Sequence, residues 1–137
     1  MEKNKKFSLF LDDKRAPGEV FLYTNISIYL DIEWTIVRTY NEFIKTIETN
    51  GIPEIISFDH DLGSEHYNHQ YVEENTPVPY DQYIEKTGYH CARWLINYCI
   101  DHAKEIPKIV LIHSMNPVGS QNIVSLFETY DKIYRGT

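Results

Sequence analysis

Four short apolar runs along the chain are each followed at once by a polar cluster, and this repetition constrains the fold strongly. Each run has the length and the apolar character of a buried strand. Ligands of open α/β sheets bind beyond the carboxyl ends of the strands, so polar residues recurring there predict one shared site. The clusters are Asp12-Asp13-Lys14-Arg15 after residues 7–11, Arg38-Thr39 after 35–37, Asp59-His60-Asp61 after 52–58 and His113-Ser114-Met115-Asn116 after 109–112.

The order of these runs predicts an α/β fold with a small parallel sheet of about four strands, of the receiver or flavodoxin type. We interpret residues 1–137 as a single domain. Residues 19–34 fit neither a helical nor a strand period, so we predict a long connection there, with at most one helical turn or an edge strand, and no clear first helix. Other helices are expected to begin at Asn41-Glu42 and end at Asn50-Gly51, to span about 88–104, and to run from Asn116-Pro117 to about Tyr134.

Residues 64–86 have no clean periodicity and contain Pro77, Pro79 and many tyrosines and histidines. A segment without structure that exceeds about 12 to 15 residues in a compact domain is often a functional lid. We therefore predict a lid-like insertion at this position.

Charge and composition limit the classes of ligand. Twenty acidic against thirteen basic residues give a net charge of -7, which argues against broad binding to duplex nucleic acid or to an anionic membrane. A local basic pocket can still hold one phosphate, so the expected ligand is small or is a nucleic-acid end. Cys91 and Cys99 lie eight residues apart on one expected helix, about 12 Å in rise and too far for a disulfide.

No apolar run approaches the roughly 20 residues of a membrane span, and the charged residues 1–6 lead straight into a strand. These features favour the reducing cytoplasm as the location of the protein. They leave its oligomeric state open.

Three acids at the predicted sheet edge suggest a metal site. Asp12 and Asp13 follow the first strand and Asp59 follows the third. Such an oxygen-rich concavity suits Mg²⁺, with Mn²⁺ as a second choice, because Mg²⁺ needs one or two carboxylates and keeps its waters. The competing interpretation is that one acid of the pair caps a turn and Asp59 is a loop acid.

Two histidines at the same edge are candidates for proton transfer. His113 follows an apolar strand, and His60 stands between Asp59 and Asp61. A histidine oriented by a carboxylate can act as a general acid or base, although a histidine in a loop is often structural.

Phosphate binding is the expected role of a further group of residues. Asn116 and Gly119 stand at the start of a helix, where free backbone N–H groups form an anion site. Ser114 lacks a G-x-S-x-G context, so its hydroxyl is expected to bind phosphate and not to act as a nucleophile. Arg15 and Arg38 add bidentate donors, unless they form only exposed salt bridges.

Five motifs carry a resemblance to a known family: Leu11-Asp12-Asp13-Lys14-Arg15-Ala16-Pro17, Val37-Arg38-Thr39-Tyr40, Ser57-Phe58-Asp59-His60-Asp61-Leu62-Gly63, Thr87-Gly88-Tyr89 and His113-Ser114-Met115-Asn116-Pro117-Val118-Gly119. They resemble the cyclic-phosphate-processing receiver-like domain. This family is a variant of the response-regulator receiver fold. The resemblance implies that Asp12 and Asp13 correspond to the metal-binding acids of a receiver, Asp59 to its phosphoacceptor and Ser114 to its hydroxyl residue. It also adds Thr87 and Gly88 to the substrate-binding set.

Two departures from an ordinary receiver bear on function. The fifth strand and its lysine have no counterpart, and a first helix after Asp13 is not evident. His60, Asp61 and His113 are additions that indicate catalysis. The resulting hypothesis is metal-assisted hydrolysis of a cyclic or terminal phosphate on a nucleotide or an RNA end. The alternatives are a degenerate receiver that signals through Asp59 or a bound ligand, and a protein-interaction domain that uses the 64–86 insertion.

Overall fold

The computed structural model describes residues 6–62 and 86–135. They form an α/β fold around a sheet of four strands, all parallel, in the order β2-β1-β3-β4. This confirms the predicted fold class, and residues 6–62 and 86–135 contain no fifth strand. The strands are β1 (Ser8–Leu11), β2 (Thr35–Val37), β3 (Ile55–Phe58) and β4 (Ile109–Ile112).

Three of the helices lie close to their predicted positions. They are α3 (Tyr40–Asn50), α4 (Gly88–Asp101) and α5 (Pro117–Tyr130), which continues as a π-helical turn (Asp131–Arg135). Helix α3 begins at Tyr40 and not at Asn41, because the Thr39 side chain accepts from the Glu42 N–H and caps it. Helix α4 stops before the predicted Lys104, since Ala103 adopts a left-handed backbone with φ 52°.

Residues 17–31 correct the predicted absence of a first helix. They form α1 (Pro17–Thr24) and the short α2 (Ile28–Asp31). Pro17 occupies the first turn of α1, and the Glu19 carboxylate accepts from the Ala16 N–H at 2.8 Å. Only Val20 and Tyr29 of these two helices are fully buried, so an apolar period was too weak to be read.

The two faces of the sheet are covered unequally. Leu9 and Leu11 point to one face, where α3, α4 and α5 complete the larger core. Phe10 points to the other face, where it packs with Val20 and Tyr29 from α1 and α2. Cys91 and Cys99 are buried free thiols, as their spacing predicted.

The register of the ladder brings the ends of the strands to one level. Leu11 pairs with both Val37 and Phe58, and Phe58 pairs with Ile112. The pairing continues one residue further, through Asp12 N–H to Val37 carbonyl (3.1 Å), Asp59 N–H to Leu11 carbonyl (2.9 Å) and His113 N–H to Phe58 carbonyl (2.9 Å). Asp12, Asp59 and His113 therefore lie side by side at the carboxyl edge.

Within residues 6–62 and 86–135, none of the helices combines the length and the apolar character that crossing a membrane requires.

Candidate functional site

Asp12 is fully buried at the end of β1 and bonded through both oxygens. Its Oδ1 accepts from the N–H groups of Lys14 (2.9 Å) and Arg15 (2.8 Å), and its Oδ2 lies 3.0 Å from His113 Nε2. Burial alone would raise the pKa of Asp12, but the hydrogen bonds with His113 and with the two N–H groups outweigh it and lower the pKa. Asp12 therefore carries a negative charge, fixed by hydrogen bonds, at the carboxyl edge of the sheet.

Asp59 is also buried, but it is incompletely bonded. Its Oδ1 accepts from the His60 N–H at 2.8 Å, whereas Oδ2 has no hydrogen-bond partner in the part of the chain that the structure describes. Burial, and then the neighbouring Asp12, raises the pKa of Asp59 to about 8, against the opposing effect of Arg15. A buried carboxylate with a bare oxygen beside a second carboxylate is a good partner for a cation.

His113 is held at the end of β4 by contacts on several sides. Its ring stacks on Phe10 with centroids 4.6 Å apart and planes 5° apart, and Nδ1 lies 2.7 Å from Ser57 Oγ. Burial lowers the pKa of His113, although the hydrogen bond with Asp12 opposes this shift. The imidazole is thus packed with only Nε2 directed to the two acids.

Asp12, Asp59 and His113 form what we call the edge cluster, in which each residue offers one ligand atom within 4.8 Å of the others. The predicted metal set contained Asp13 in place of His113. Asp13 is half-buried beside the cluster, and its charge contributes to the raised pKa of Asp59. The carboxylate oxygens of Asp12 and Asp59 are the kind of ligand that a small divalent cation prefers.

Arg15 supplies a positive charge to the edge cluster. Its Nε lies 3.8 Å from Asp12 Oδ2, and its Nη1 donates to the Tyr23 hydroxyl. Tyr23 in turn donates to the His113 carbonyl at 2.6 Å, so α1 connects the arginine to the end of β4. Burial alone would lower the pKa of Arg15, but the charges of Asp59, Tyr23 and Asp12 outweigh this effect and raise the pKa. The Arg15 side chain therefore stays cationic.

Arg38 supports the loop after β1. Its Nη1 donates to the carbonyls of Asp12 (3.1 Å) and Arg15 (2.7 Å). These bonds fix the backbone that carries both residues. The binding of phosphate by Arg38 stays a prediction. Its hydrogen bonds in the structure stabilise the loop after β1.

His60, Asp61 and Asn116 form a second buried group, which we call the loop cluster. His60 Nδ1 lies 2.8 Å from Asp61 Oδ1, and the Asn116 amide donates to Asp61 Oδ1 at 3.3 Å. Asn116 Oδ1 accepts from the Gly119 N–H at 3.0 Å, which caps α5 as predicted. The His60 ring packs so closely on Gly119 that a Cβ there would lie 2.3 Å from His60 Cγ.

Thr87, Gly88 and Ser114 make contacts that shape the surrounding backbone. The Thr87 side chain caps α4, and the Gly88 N–H donates to the His60 carbonyl at 2.7 Å. A Cβ on Gly88 would lie 1.7 Å from the Asp59 carbonyl oxygen, so only glycine fits there. Ser114 Oγ accepts from the Asn116 N–H at 3.0 Å. The N–H groups of Gly88 and Gly119 are thus already paired within the protein.

Three residues that contact the site were missed by the sequence argument. Ser57 and Tyr29 lie behind His113, and Tyr23 holds Arg15. Ser57 carried a signal, because it is the polar residue inside the otherwise apolar strand β3. Tyr23 and Tyr29 lie in the stretch that showed no period, and no local pattern singles them out.

These features define a receiver-like α/β domain with an acidic, histidine-containing site at its carboxyl edge. The sequence model of one protein family, the cyclic-phosphate processing receiver domain, matches residues 7–129. The chain therefore belongs to this family. Neither the search of curated proteins nor the search of solved structures found a match.

Proposed function

We propose that the domain catalyses the metal-assisted hydrolysis of a cyclic or terminal phosphate on a nucleotide or an RNA end. The observation that carries this proposal is the edge cluster, in which the buried Asp59 Oδ2 has no hydrogen-bond partner among the described residues and stands near Asp12 and the cationic Arg15. The family description, cyclic-phosphate processing, names the same class of substrate. Both lines favour phosphate chemistry at this edge.

Asp12 and Asp59 are the residues that would hold the cation, with Mg²⁺ as the first candidate and Mn²⁺ as the second. When bound, such a cation supplies charge that stabilises a phosphoryl transition state and lowers the pKa of a water. The negative charge of Asp12 is one cause of the raised pKa of Asp59. A cation that displaces the Asp59 proton would replace the repulsion between the two carboxylates with attraction to both.

The other residues of the edge act on the phosphate and on protons. Arg15 can bind a phosphate oxygen, since its guanidinium stands against Asp12 and is oriented by Tyr23. His113 offers Nε2 beside Asp12 Oδ2, where it can exchange a proton with the substrate. Opening a cyclic phosphodiester needs an attacking water and a protonated leaving oxygen, and in this proposal the bound cation would activate the water and His113 would exchange the proton.

The net charge of the protein indicates the size of its ligand. A net charge of -7 disfavours duplex nucleic acid and anionic membranes, so a mononucleotide or an RNA end is the preferred partner. A cytoplasmic location stays a prediction, as does the oligomeric state. The predicted lid at 64–86 lies mostly outside the described residues, and so does the protein-interaction role that depends on it.

The proposal is tested by incubating the protein with 2′,3′-cyclic nucleotides, 3′,5′-cyclic nucleotides and terminal phosphates in the presence of Mg²⁺, Mn²⁺ or EDTA. Product chromatography should show hydrolysis of at least one class with metal and none with EDTA. Asp59→Asn should be inactive, whereas Tyr40→Phe, a half-buried position against the larger core, should match the native protein. Absence of turnover on every substrate would contradict the proposal.

His113 gives a sharper kinetic expectation. If its Nε2 acts in proton transfer, His113→Ala should lower turnover about 10²- to 10⁴-fold and change substrate affinity little. If it only holds the ligand, affinity should fall while turnover at saturation survives. Steady-state kinetics on the active substrate separates the two results.

A second candidate function is a signalling receiver that is phosphorylated on Asp59. The unbonded Oδ2 of Asp59 at the end of β3 is the observation that favours it. Incubation with acetyl phosphate and Mg²⁺, followed by intact-mass measurement, should then show one phosphoryl adduct that Asp59→Asn abolishes. A protein that hydrolyses phosphate esters and forms no adduct excludes this candidate.

A further inference from the structure

A chain of four buried side chains runs from the smaller core to the edge cluster. The Tyr29 hydroxyl lies 2.7 Å from Ser57 Oγ, Ser57 Oγ lies 2.7 Å from His113 Nδ1, and His113 Nε2 lies 3.0 Å from Asp12 Oδ2. All four residues are at most 3% exposed. The first two stand outside the set of residues that the resemblance and the motifs assign to the site.

Hydrogen-bond chemistry fixes the direction of this chain. An ionised carboxylate only accepts, so His113 Nε2 carries the proton that faces Asp12. A neutral imidazole has one donor and one acceptor, so Nδ1 accepts from the Ser57 hydroxyl. Ser57 Oγ then accepts from the Tyr29 hydroxyl, and every group in the chain is satisfied.

Packing holds the ring in this orientation. His113 is stacked on Phe10 and meets the Tyr29 ring edge-on, with centroids 6.1 Å apart and planes 80° apart. Tyr29 itself stacks on Trp34 with centroids 5.7 Å apart. A flip of the imidazole would remove both of its nitrogens from their partners, and the Phe10 ring covers one face of the imidazole.

We propose that Ser57 and Tyr29 are positioning residues that hold His113 with its Nε2 proton directed to the site. His113 then serves as a hydrogen-bond donor, and the cation is held by Asp12 and Asp59 without the imidazole. Ligation through Nε2 would require that nitrogen to lose its proton and both hydroxyls to reverse. The consequence for catalysis rests on the proposed function, whereas the hydrogen-bond chain does not.

The test is nuclear magnetic resonance of the ¹⁵N-labelled full chain at neutral pH, with His113→Asn used to assign the His113 ring. The native protein should show a protonated Nε2 and an unprotonated Nδ1 whose resonance is shifted by an accepted hydrogen bond. Ser57→Ala should remove that shift of Nδ1. Tyr29→Phe, which keeps the ring packing, should change it in the same direction by less, and Tyr98→Phe in α4 should leave it unchanged.

Addition of Mg²⁺ tests the second half of the proposal. The Nε2 proton of His113 should persist at saturating Mg²⁺. A proton on Nδ1 in the native protein, or loss of the Nε2 proton with Mg²⁺, would overturn the assignment. An unchanged Nδ1 resonance in both Ser57→Ala and Tyr29→Phe would overturn the positioning role, and Tyr29→Phe decides it alone if Ser57→Ala does not fold.

Activity assays keep the two proposals distinguishable. If the resonances follow the expectation and no phosphate ester is hydrolysed, the proposed function fails and the positioning role stands. If hydrolysis occurs but His113 Nε2 releases its proton to solvent when the cation binds, the proposed function stands and the positioning role fails.

Discussion

Two buried histidine–aspartate pairs lie within residues 6–62 and 86–135, and they differ in what surrounds them. His113 and Asp12 in the edge cluster stand beside Asp59, whose Oδ2 is unbonded among the described residues, and beside the cationic Arg15. His60 and Asp61 in the loop cluster are closed off by the Asn116 amide and by the backbone of α5.

The two pairs differ in the hydrogen bonds that their acids make with the described residues. Two neighbouring buried acids with one bare oxygen are costly in the folded protein, and a bound cation relieves that cost. The loop cluster has its acid paired with a histidine and an amide, and it ties the loop after β3 to the start of α5. We expect the first to carry chemistry and the second to carry stability.

The largest effect is expected on metal affinity. Asp59→Asn and Asp12→Asn should each weaken Mn²⁺ binding roughly 100-fold or more, because each removes a carboxylate of the edge cluster. Asp61→Asn, the matched change in the loop cluster, should alter the affinity by less than about threefold. Isothermal titration on variants whose folding is checked by circular dichroism measures this. Unchanged affinity in both edge variants would remove the metal site.

The second effect is a pH dependence of stability in EDTA. The pKa of Asp59 is raised to about 8, so the native state holds a proton that the unfolded state releases above its ordinary value near 3.8. The stability that this proton gives is complete below the unfolded pKa and is lost as the pH rises through 8. The lowered pKa of His113 acts in the opposite direction, but only below the ordinary histidine pKa of 6.5.

Between about pH 6.5 and 8.5 the free energy of unfolding should therefore fall by roughly 2 kcal/mol, since the slope is about 1.4 kcal/mol per pH unit until the pH passes the native pKa near 8. Thermal unfolding at several pH values measures the slope. Asp59→Asn should flatten the slope of stability against pH, whereas Asp61→Asn should leave this slope unchanged. A slope that survives in Asp59→Asn would show that another group is responsible.

A smaller effect is expected from filling the space beside the loop cluster. Gly119→Ala places a Cβ 2.3 Å from His60 Cγ and should destabilise the domain by about 2 kcal/mol. Gly18→Ala in α1 meets nothing within 4 Å and should instead stabilise by roughly 0.5 kcal/mol. Urea unfolding compares the two. Equal effects would mean that His60 moves aside without cost.

The smallest effect is expected at Tyr23. Tyr23→Phe removes the hydroxyl that accepts from Arg15 and donates to the His113 carbonyl, so the guanidinium loses its tether. Affinity for inorganic phosphate in the presence of Mg²⁺ should fall about threefold, close to the value of one hydrogen bond. Tyr40→Phe is the control. A fall of equal size in both variants would exclude a specific role for Tyr23.

Much of this site follows from the sequence because parallel strands end at a common edge. The apolar runs before Asp12, Asp59 and His113 identified three strands, and the residue after each run then fell at the site. The helix-capping pattern in turn placed Asn116 at the start of α5, where its side chain accepts from the Gly119 N–H and caps the helix. A local pattern is sufficient when the position along a strand or helix fixes the position in space.

The roles of individual residues needed the tertiary structure. His60 and His113 both follow a strand, yet one packs against α5 and the other lies between Ser57 and Asp12. Arg38 was grouped with Arg15, but it bonds the carbonyls of the loop. Side-chain direction beyond the end of a strand depends on what packs there, and the sequence around each residue does not contain that information.

The sequence by itself determined the α/β class, the four parallel strands and the edge at which Asp12 and Asp59 meet, because these follow from short-range apolar runs and from the pairing of parallel strands. Only the tertiary structure decided that α1 and α2 bring Tyr23 and Tyr29 to that edge, and that Asp59 keeps a bare oxygen. The physical reason is that burial and hydrogen-bond partners arise from segments far apart in the chain, so no local pattern encodes them.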